Sequence, residues 1–184
     1  MRHGQTLFNL LGRTQGHCDS PLTDLGKEQA IKVKNYFEER HISFDYGYSS
    51  TQERAEDTLL LIYDGKYDRL KGLKEWNFGT FEGAPTYLEP KIKPGTTSHG
   101  DNFVQYGGES IDEITYRMNQ SVTEIAKKHE NKNILVVSHG GAIYSFYLKW
   151  NNRLIEKPKF SNCCVLKYKY ENEEFTLEEV IELN

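Results

Sequence analysis

Asn133-Ile134-Leu135-Val136-Val137-Ser138-His139-Gly140-Gly141 joins an unbroken apolar run to a polar turn that ends in two glycines. Four consecutive aliphatic residues predict a strand buried on both faces, as in a parallel sheet. The glycines then open a helix that reaches about Lys149. Upstream the same unit recurs. Ser43 to Ser49 alternates around Phe44, Tyr46 and Tyr48, then turns into a helix from Gln52 to Tyr63 through Ala55, Leu59 and Ile62. Thr23 is read as the N-cap of a helix to about Arg40, with Ala30, Val33 and Phe37 on one face. Ser110 and Glu113 form a capping box ahead of a stripe of Ile111, Ile114, Met118, Val122 and Ile125. Near the end, Cys163 to Tyr170 and Phe175 to Ile181 are expected to pair as a hairpin across Glu171-Asn172-Glu173. Strand-then-helix units with short connections predict an α/β fold, a mainly parallel central sheet sandwiched by helices.

The 184 residues fit one domain, 1–184, with no repeat and no linker dividing them. A net charge of −4, without long runs of either sign, argues against nucleic acid or a membrane surface as the main partner. The longest apolar runs fall far short of the ~18 residues needed to span a bilayer. Three cysteines, Cys18 and the pair Cys163-Cys164, supply neither a disulfide framework nor zinc-ligand spacing. Cytoplasmic is the expected location. Phe81 to Gly107 shows little periodicity and holds three of the five prolines, so it reads as a long surface excursion of the functional kind. Arg2-His3-Gly4 reads as a turn leaving a strand although only Met1 precedes it. The native chain is therefore expected to begin several residues upstream, with Met1 inside a first strand.

Ligands of open α/β sheets collect beyond the carboxyl ends of the strands. Arg2-His3-Gly4, the Ser49-to-Arg54 turn and Ser138-His139-Gly140-Gly141 all lie at such ends. With parallel strands, Arg2, His3, Arg54 and His139 converge on one rim, and the helix after Gly140 is expected to offer free backbone N–H groups there. Two guanidiniums, two imidazoles and a helix N-terminus describe an anion site, and phosphate is its natural guest. A neutral imidazole can attack phosphorus once its other nitrogen is held. Taken singly, each piece has a plainer explanation: a solvated arginine, a satisfied histidine, glycines that serve helix–sheet packing, or Glu75 and Glu82 on a loop. Neither a metal-ligand cluster nor a Walker-type loop is present in the sequence, so no metal and no cofactor are expected.

Taken together the segments resemble the histidine phosphatase superfamily in its phosphoglycerate-mutase-like branch. Arg2-His3-Gly4-Gln5-Thr6-Leu7-Phe8-Asn9 is similar to its R-H-G-x-T-x-x-N signature. Gln15-Gly16-His17-Cys18-Asp19-Ser20-Pro21-Leu22-Thr23 is similar to its Q-G-x-x-D-x-P-L-T continuation. Ser49 to Thr58, the Glu75-containing segment with Glu82-Gly83, Gly108-Glu109-Ser110 with Arg117, and Val137 to Gly141 follow in the family's order. The resemblance covers nearly the whole chain and implies a phosphoglycerate-mutase-like fold. It implies that His3 is the phosphorylated nucleophile, that Arg2 and Arg54 clamp the phosphoryl oxygens, and that His139 donates a hydrogen bond to them. Glu75 is implied to protonate the leaving oxygen and then to deprotonate the attacking water. Asn9, Gln15, Gly16 and the Gly140 backbone are implied supports of phosphate or substrate. Two adjacent guanidiniums should keep His3 neutral, whereas a bound phosphate beside Glu75 favours its protonated form.

Three functions follow. The first is a metal-independent phosphomonoester hydrolase acting through phosphohistidine on a small phosphorylated metabolite. The second is a phosphoglycerate mutase, for which the family resemblance implies a longer chain, extra basic residues in the insertion and an ordered C-terminal tail, whereas here the insertion has only Lys91 and Lys93 and the sequence ends acidic at Glu178-Glu179 and Glu182. The third is a non-catalytic phospho-ligand-binding module, disfavoured because His3 and Glu75 are both present. The expected partners are a small phosphorylated substrate or inorganic phosphate, with a homodimer left open.

Overall fold

The computed structural model describes residues 1–152 and 154–183. The strand-forming runs land where the sequence places them, with shifted ends. β1 is Tyr46–Ser50, β2 Tyr67–Leu70 and β3 Ile134–Val137, hydrogen-bonded in the order β2-β1-β3 with every neighbour parallel. Tyr46 lies opposite Ile134 and Gly47 opposite Tyr67. The short, half-polar β2 (Tyr-Asp-Arg-Leu) escapes a search for apolar alternation because it is an edge strand with neither face fully covered. Beyond β3 lie Met1 to His3: Ser138 N–H donates to Met1 O at 2.9 Å and His3 N–H to Ser138 O at 3.0 Å.

β4 (Val165–Glu171) and β5 (Glu174–Ile181) form the expected antiparallel hairpin. Asn172 and Glu173 both take positive φ (50° and 65°) in its two-residue turn, as a hairpin turn that follows the strand twist requires. The hairpin reaches residues 1–3 through Arg2 N–H to Cys164 O (3.0 Å). Cys163 is not part of the strand. Its φ is 60°, and residues 160–164 form a loop against the chain's opening residues.

α1 is the single turn Leu7–Leu10, α2 Asp24–Glu39, α3 Glu53–Ile62, α4 Ile111–Lys128 and α5 Gly140–Trp150. Thr23 caps α2, and the Ser110–Glu113 capping box is formed at α4. Two cores flank the sheet. On one side Ala30, Val33 and Phe37 of α2 and Ala55, Leu59 and Ile62 of α3 meet Leu135 and Val137. On the other, Ile114, Met118 and Ile125 of α4 and Ala142 and Phe146 of α5 meet Tyr48 and Trp76. The fold is thus α/β with a parallel centre and helices on both faces. None of the described helices is long and apolar enough to cross a membrane. The excursion from Phe81 is more anchored than its lack of periodicity suggests: Phe103 is fully buried among Phe78, Phe81, His99 and Trp76.

Candidate active site

The carboxyl ends of β1 and β3, together with residues 1–3, bring His3, Ser50, Arg54 and His139 into one cluster, because parallel strands all end on the same side. The His3 and His139 ring centroids are 5.2 Å apart. His3 Nδ1 lies 2.7 Å from Gly4 O. A carbonyl only accepts, so the proton is on Nδ1 and the Nε2 lone pair is left for chemistry. Arg54 Nε donates toward that lone pair at 3.3 Å.

Arg54 is completely buried, and its place follows from the register of α3, which turns residue 54 inward at the first turn. Its Nη1 donates to Asp19 Oδ1 (2.8 Å) and Cys18 O (2.9 Å), and its Nη2 to Gly16 O (2.9 Å). Loop 15–19 is shaped around it. Glu82 holds that loop from outside by accepting the N–H groups of Gly16, His17 and Cys18. A Cβ on Gly16 would run into the Trp76 carbonyl and the Glu82 carboxylate, so only glycine fits. Burial pushes the Glu82 carboxyl up, but the Cys18 thiol and the Cys18, Phe78 and His17 amides outweigh it and leave it below the usual range.

His139 Nε2 is 2.7 Å from Ser50 Oγ, which itself accepts the Gln52 N–H at 3.2 Å. With the Ser50 hydroxyl donating to Nε2, the His139 proton sits on Nδ1. That Nδ1 is buried with no hydrogen-bond partner among the described residues, and the same is true of Arg2 Nε. Arg2 is aimed by its Nη1 bond to Phe160 O (2.6 Å) and lies against Gly140, where a Cβ would sit 3.4 Å from Nε. Two buried donors of one cradle thus await an acceptor.

Burial first, then Arg54 and Arg2, hold the His3 imidazole well below its ordinary 6.5, against the pull of the Gly4 carbonyl. His139 is lowered in the same way, by burial and then by Arg54, His3, Arg117 and Arg2. Both rings are neutral at physiological pH, as a nitrogen nucleophile must be.

Glu75 lies over the start of α5. Its Oε1 accepts from the Trp76 N–H (2.8 Å) and the Ala142 N–H (2.9 Å), and its Oε2 from the Gly141 N–H (3.0 Å). The helix-end amides that the sequence left free for an anion are therefore occupied by this carboxylate at Gly141 and Ala142. Helix N-termini attract negative charge from whichever group arrives, and Glu75 is within the chain's own reach. Arg117 fixes the segment: it forks onto Glu109 (2.7 and 2.8 Å) and donates to the carbonyls of Gly72, Lys74 and Glu75.

The remaining expected residues divide. Gly16 touches Arg54, and Gly140 touches Arg2. Asn9 Oδ1 accepts from the Thr6 N–H and from Asn162 Nδ2, each at 3.2 Å. Gln15 spends both ends of its amide on the scaffold, accepting from Thr6 Oγ1 (2.6 Å) and donating to Ser20 Oγ (2.9 Å). Asp19, Ser50, Thr58 and Asn162 support the site without having been singled out. Asp19 and Ser50 fall inside the quoted motifs, but Asn162 follows no motif and had no signal. Among the described residues no group of three or more His, Cys, Asp or Glu side chains is placed to hold a metal ion.

A family model described as histidine phosphatase superfamily (branch 1) matches residues 1–182. The chain is 32% identical over 160 residues to a metal-independent phosphoserine phosphatase of Arabidopsis thaliana, covering 81% of this chain and 66% of that protein. The chain therefore spans about two thirds of that relative's length. Among solved structures, a phosphoglycerate mutase from Bacillus anthracis superposes with a TM-score of 0.81 at 27% identity, covering 96% of this chain and 88% of the other. A phosphoserine phosphatase from Entamoeba histolytica, solved with 3-phosphoglyceric acid, gives 0.77 at 29% identity over 98% and 94%. With a neutral histidine pair at the strand ends, a buried arginine bonded to His3 and a family match over nearly its full length, the chain belongs to the histidine phosphatase superfamily, branch 1.

Proposed function

We propose that the chain is a phosphomonoester hydrolase that passes the phosphoryl group through His3, needs no metal, and acts on a small phosphorylated metabolite. The observation that carries this reading is the pair of buried groups, Arg2 Nε and His139 Nδ1, without a hydrogen-bond partner among the described residues and in the same cradle as the His3 Nε2 lone pair. Phosphoryl transfer asks mainly for positioning and charge stabilisation, which guanidiniums and a neutral imidazole donor supply.

The substrate phosphoryl group would draw the Arg54 Nε–H away from His3 Nε2 onto an oxygen, freeing the lone pair to attack. As the Nε2–P bond forms, the ester P–O bond breaks and Glu75, carrying the proton that the phosphate monoester monoanion brings in, gives it to the departing oxygen. Water then attacks phosphorus, Glu75 recovers the proton, and the Nε2–P bond breaks to release phosphate. Residues 1–184 act as one unit, with 81–107 as the insertion that selects the substrate. Its cations, Lys91 and Lys93, are both exposed, which favours hydrolysis over mutase chemistry, where a diphosphate has to be retained. The Arabidopsis and Entamoeba relatives, both named phosphoserine phosphatases, support a small phosphorylated substrate, and a cytoplasmic location suits one.

The test is p-nitrophenyl phosphate hydrolysis with EDTA present, beside 3-phosphoglycerate isomerisation, for the wild type and His3→Ala. Hydrolysis that survives chelation and disappears in His3→Ala, with an alkali-stable phosphohistidine trapped from the wild type, is the expected result. Turnover lost to EDTA, or isomerisation outpacing hydrolysis, overturns the proposal.

A further inference from the structure

The loop formed by residues 160–164 grips the opening residues of the chain, and the reaction above leaves it without a task. Its grip is specific. Phe160 O accepts from Arg2 Nη1, and the His3 carbonyl accepts both the Cys163 N–H (3.2 Å) and Asn162 Nδ2 (3.2 Å). Phe160 and Cys163 hold left-handed φ angles of 56° and 60° without being glycine, which is how the residues between them come to face His3.

We infer that Asn162 is a positioning residue for the nucleophile: its side-chain amide fixes the peptide that aims His3 and orients the Asn9 amide toward the phosphoryl group. The inference rests on the function proposed above and adds a part to it.

The geometry runs through two acceptors. The peptide between His3 and Gly4 is held at its oxygen by Asn162 and Cys163, and at its N–H by Thr58 Oγ1 (3.0 Å). The next carbonyl, Gly4 O, is the one that His3 Nδ1 meets at 2.7 Å. Rotation of that peptide displaces Gly4 O and swings the ring with it, so a grip on the His3 carbonyl is a grip on Nε2. The second acceptor is Asn9 Oδ1, which takes Asn162 Nδ2 and the Thr6 N–H. With its oxygen doubly used, Asn9 is left to offer its NH2 end to a ligand. Both bonds from Asn162 are donated by the same nitrogen. An aspartate of nearly the same shape would set an oxygen against two oxygens.

The experiment compares wild type, Asn162→Ala, Asn162→Asp, Asn9→Ala and the double variant Asn9→Ala/Asn162→Ala. It measures p-nitrophenyl phosphate hydrolysis, inhibition by inorganic phosphate, thermal midpoint, and the ring-nitrogen NMR shifts of His3. Asn162→Ala should lower kcat/KM about 10- to 100-fold, the scale of a small misplacement of a reacting group, while the thermal midpoint stays close to that of the wild type. Asn162→Asp should be worse at neutral pH and recover part of its rate in acid, where a protonated carboxyl regains a donor. Phosphate inhibition in the double variant should be no weaker than in Asn9→Ala alone, because Asn162 reaches a bound phosphate ion through Asn9, while its bond to the His3 carbonyl bears on the rate. His3 should lose its single Nδ1–H tautomer in Asn162→Ala. Should Asn162→Ala fail to fold, Asn162→Asp carries the test through its pH recovery. A kcat/KM of Asn162→Ala within twofold of wild type, phosphate inhibition weakened multiplicatively in the double variant, or an unchanged His3 spectrum overturns the inference. A wild type that hydrolyses no phosphate ester defeats the function proposed above instead, and the NMR and phosphate-binding measurements still decide the role of Asn162.

Discussion

Moving this protein from about pH 7.5 to about pH 5.5 will weaken its fold through the two imidazoles at its centre. His3 is 3% exposed and His139 0%, and both are held well below 6.5. In the unfolded chain each ring takes up a proton near the ordinary 6.5. The unfolded state then binds more protons than the native one, so stability rises with pH across this window and falls as pH drops below the unfolded value. For a group neutral in the fold throughout, the change over those two units is about 1.4 kcal/mol, and about 2.7 kcal/mol for the pair. In a chain of this size that corresponds to roughly 5–11 °C in Tm. The assay is calorimetric or urea unfolding in phosphate-free buffer at both pH values, for wild type, His3→Asn, His139→Asn and the double variant. Each single variant should lose about 1.4 kcal/mol of the acid-induced drop. The double variant should keep only the part owed to other groups, such as the half-buried His17, which burial and Lys74 also lower. Single variants that show the full wild-type drop would refute the argument.

Three further outcomes are expected. Glu75→Gln should slow alkyl phosphate hydrolysis by about 10²–10³ and p-nitrophenyl phosphate far less, because a good leaving group needs little protonation; equal losses across a leaving-group series would remove Glu75 from the acid role. Asp19→Asn strips the buried Arg54 guanidinium of its carboxylate partner. Because Asp19 is partly exposed, the loss should be about 1–3 kcal/mol rather than the full cost of a broken buried pair, accompanied by a raised KM, and a denaturation curve matching wild type would contradict this. Gly16→Ala should cost roughly 1–3 kcal/mol by overpacking against the Trp76 carbonyl, read from the urea midpoint; unaltered stability would mean that loop 15–19 moves freely.

The layered fold was legible because Ile134–Val137 and the stripes on α2, α3 and α4 carry strong periodicity, and because Thr23 and Ser110 are effective caps. β2 and α1 were not, since four residues give too short a pattern to register and α1 buries none of its side chains. At the site, residue types at strand ends marked the cluster of His3, Arg54 and His139 that the structure assembles. Sequence alone did not show that α5 would commit the amides of Gly141 and Ala142 to Glu75, nor that Arg54, expected at the rim of the sheet, would be wholly enclosed by the carbonyls of loop 15–19. Both follow from tertiary contacts between segments far apart in the chain. Cys163 misled for a related reason: apolar alternation continues through it, while the backbone turns left-handed to reach His3.

The bonds between Glu75 and the first amides of α5 tie the proposed acid to the helix that begins beside His139. Any tilt of that helix moves Glu75 and the His139 imidazole as one body, so the spacing of those two groups survives rearrangement around them. On the function proposed above, changes that admit a different alcohol belong in the exposed part of the excursion, residues 91–97, rather than at Glu82, which holds loop 15–19, or at the buried Phe103.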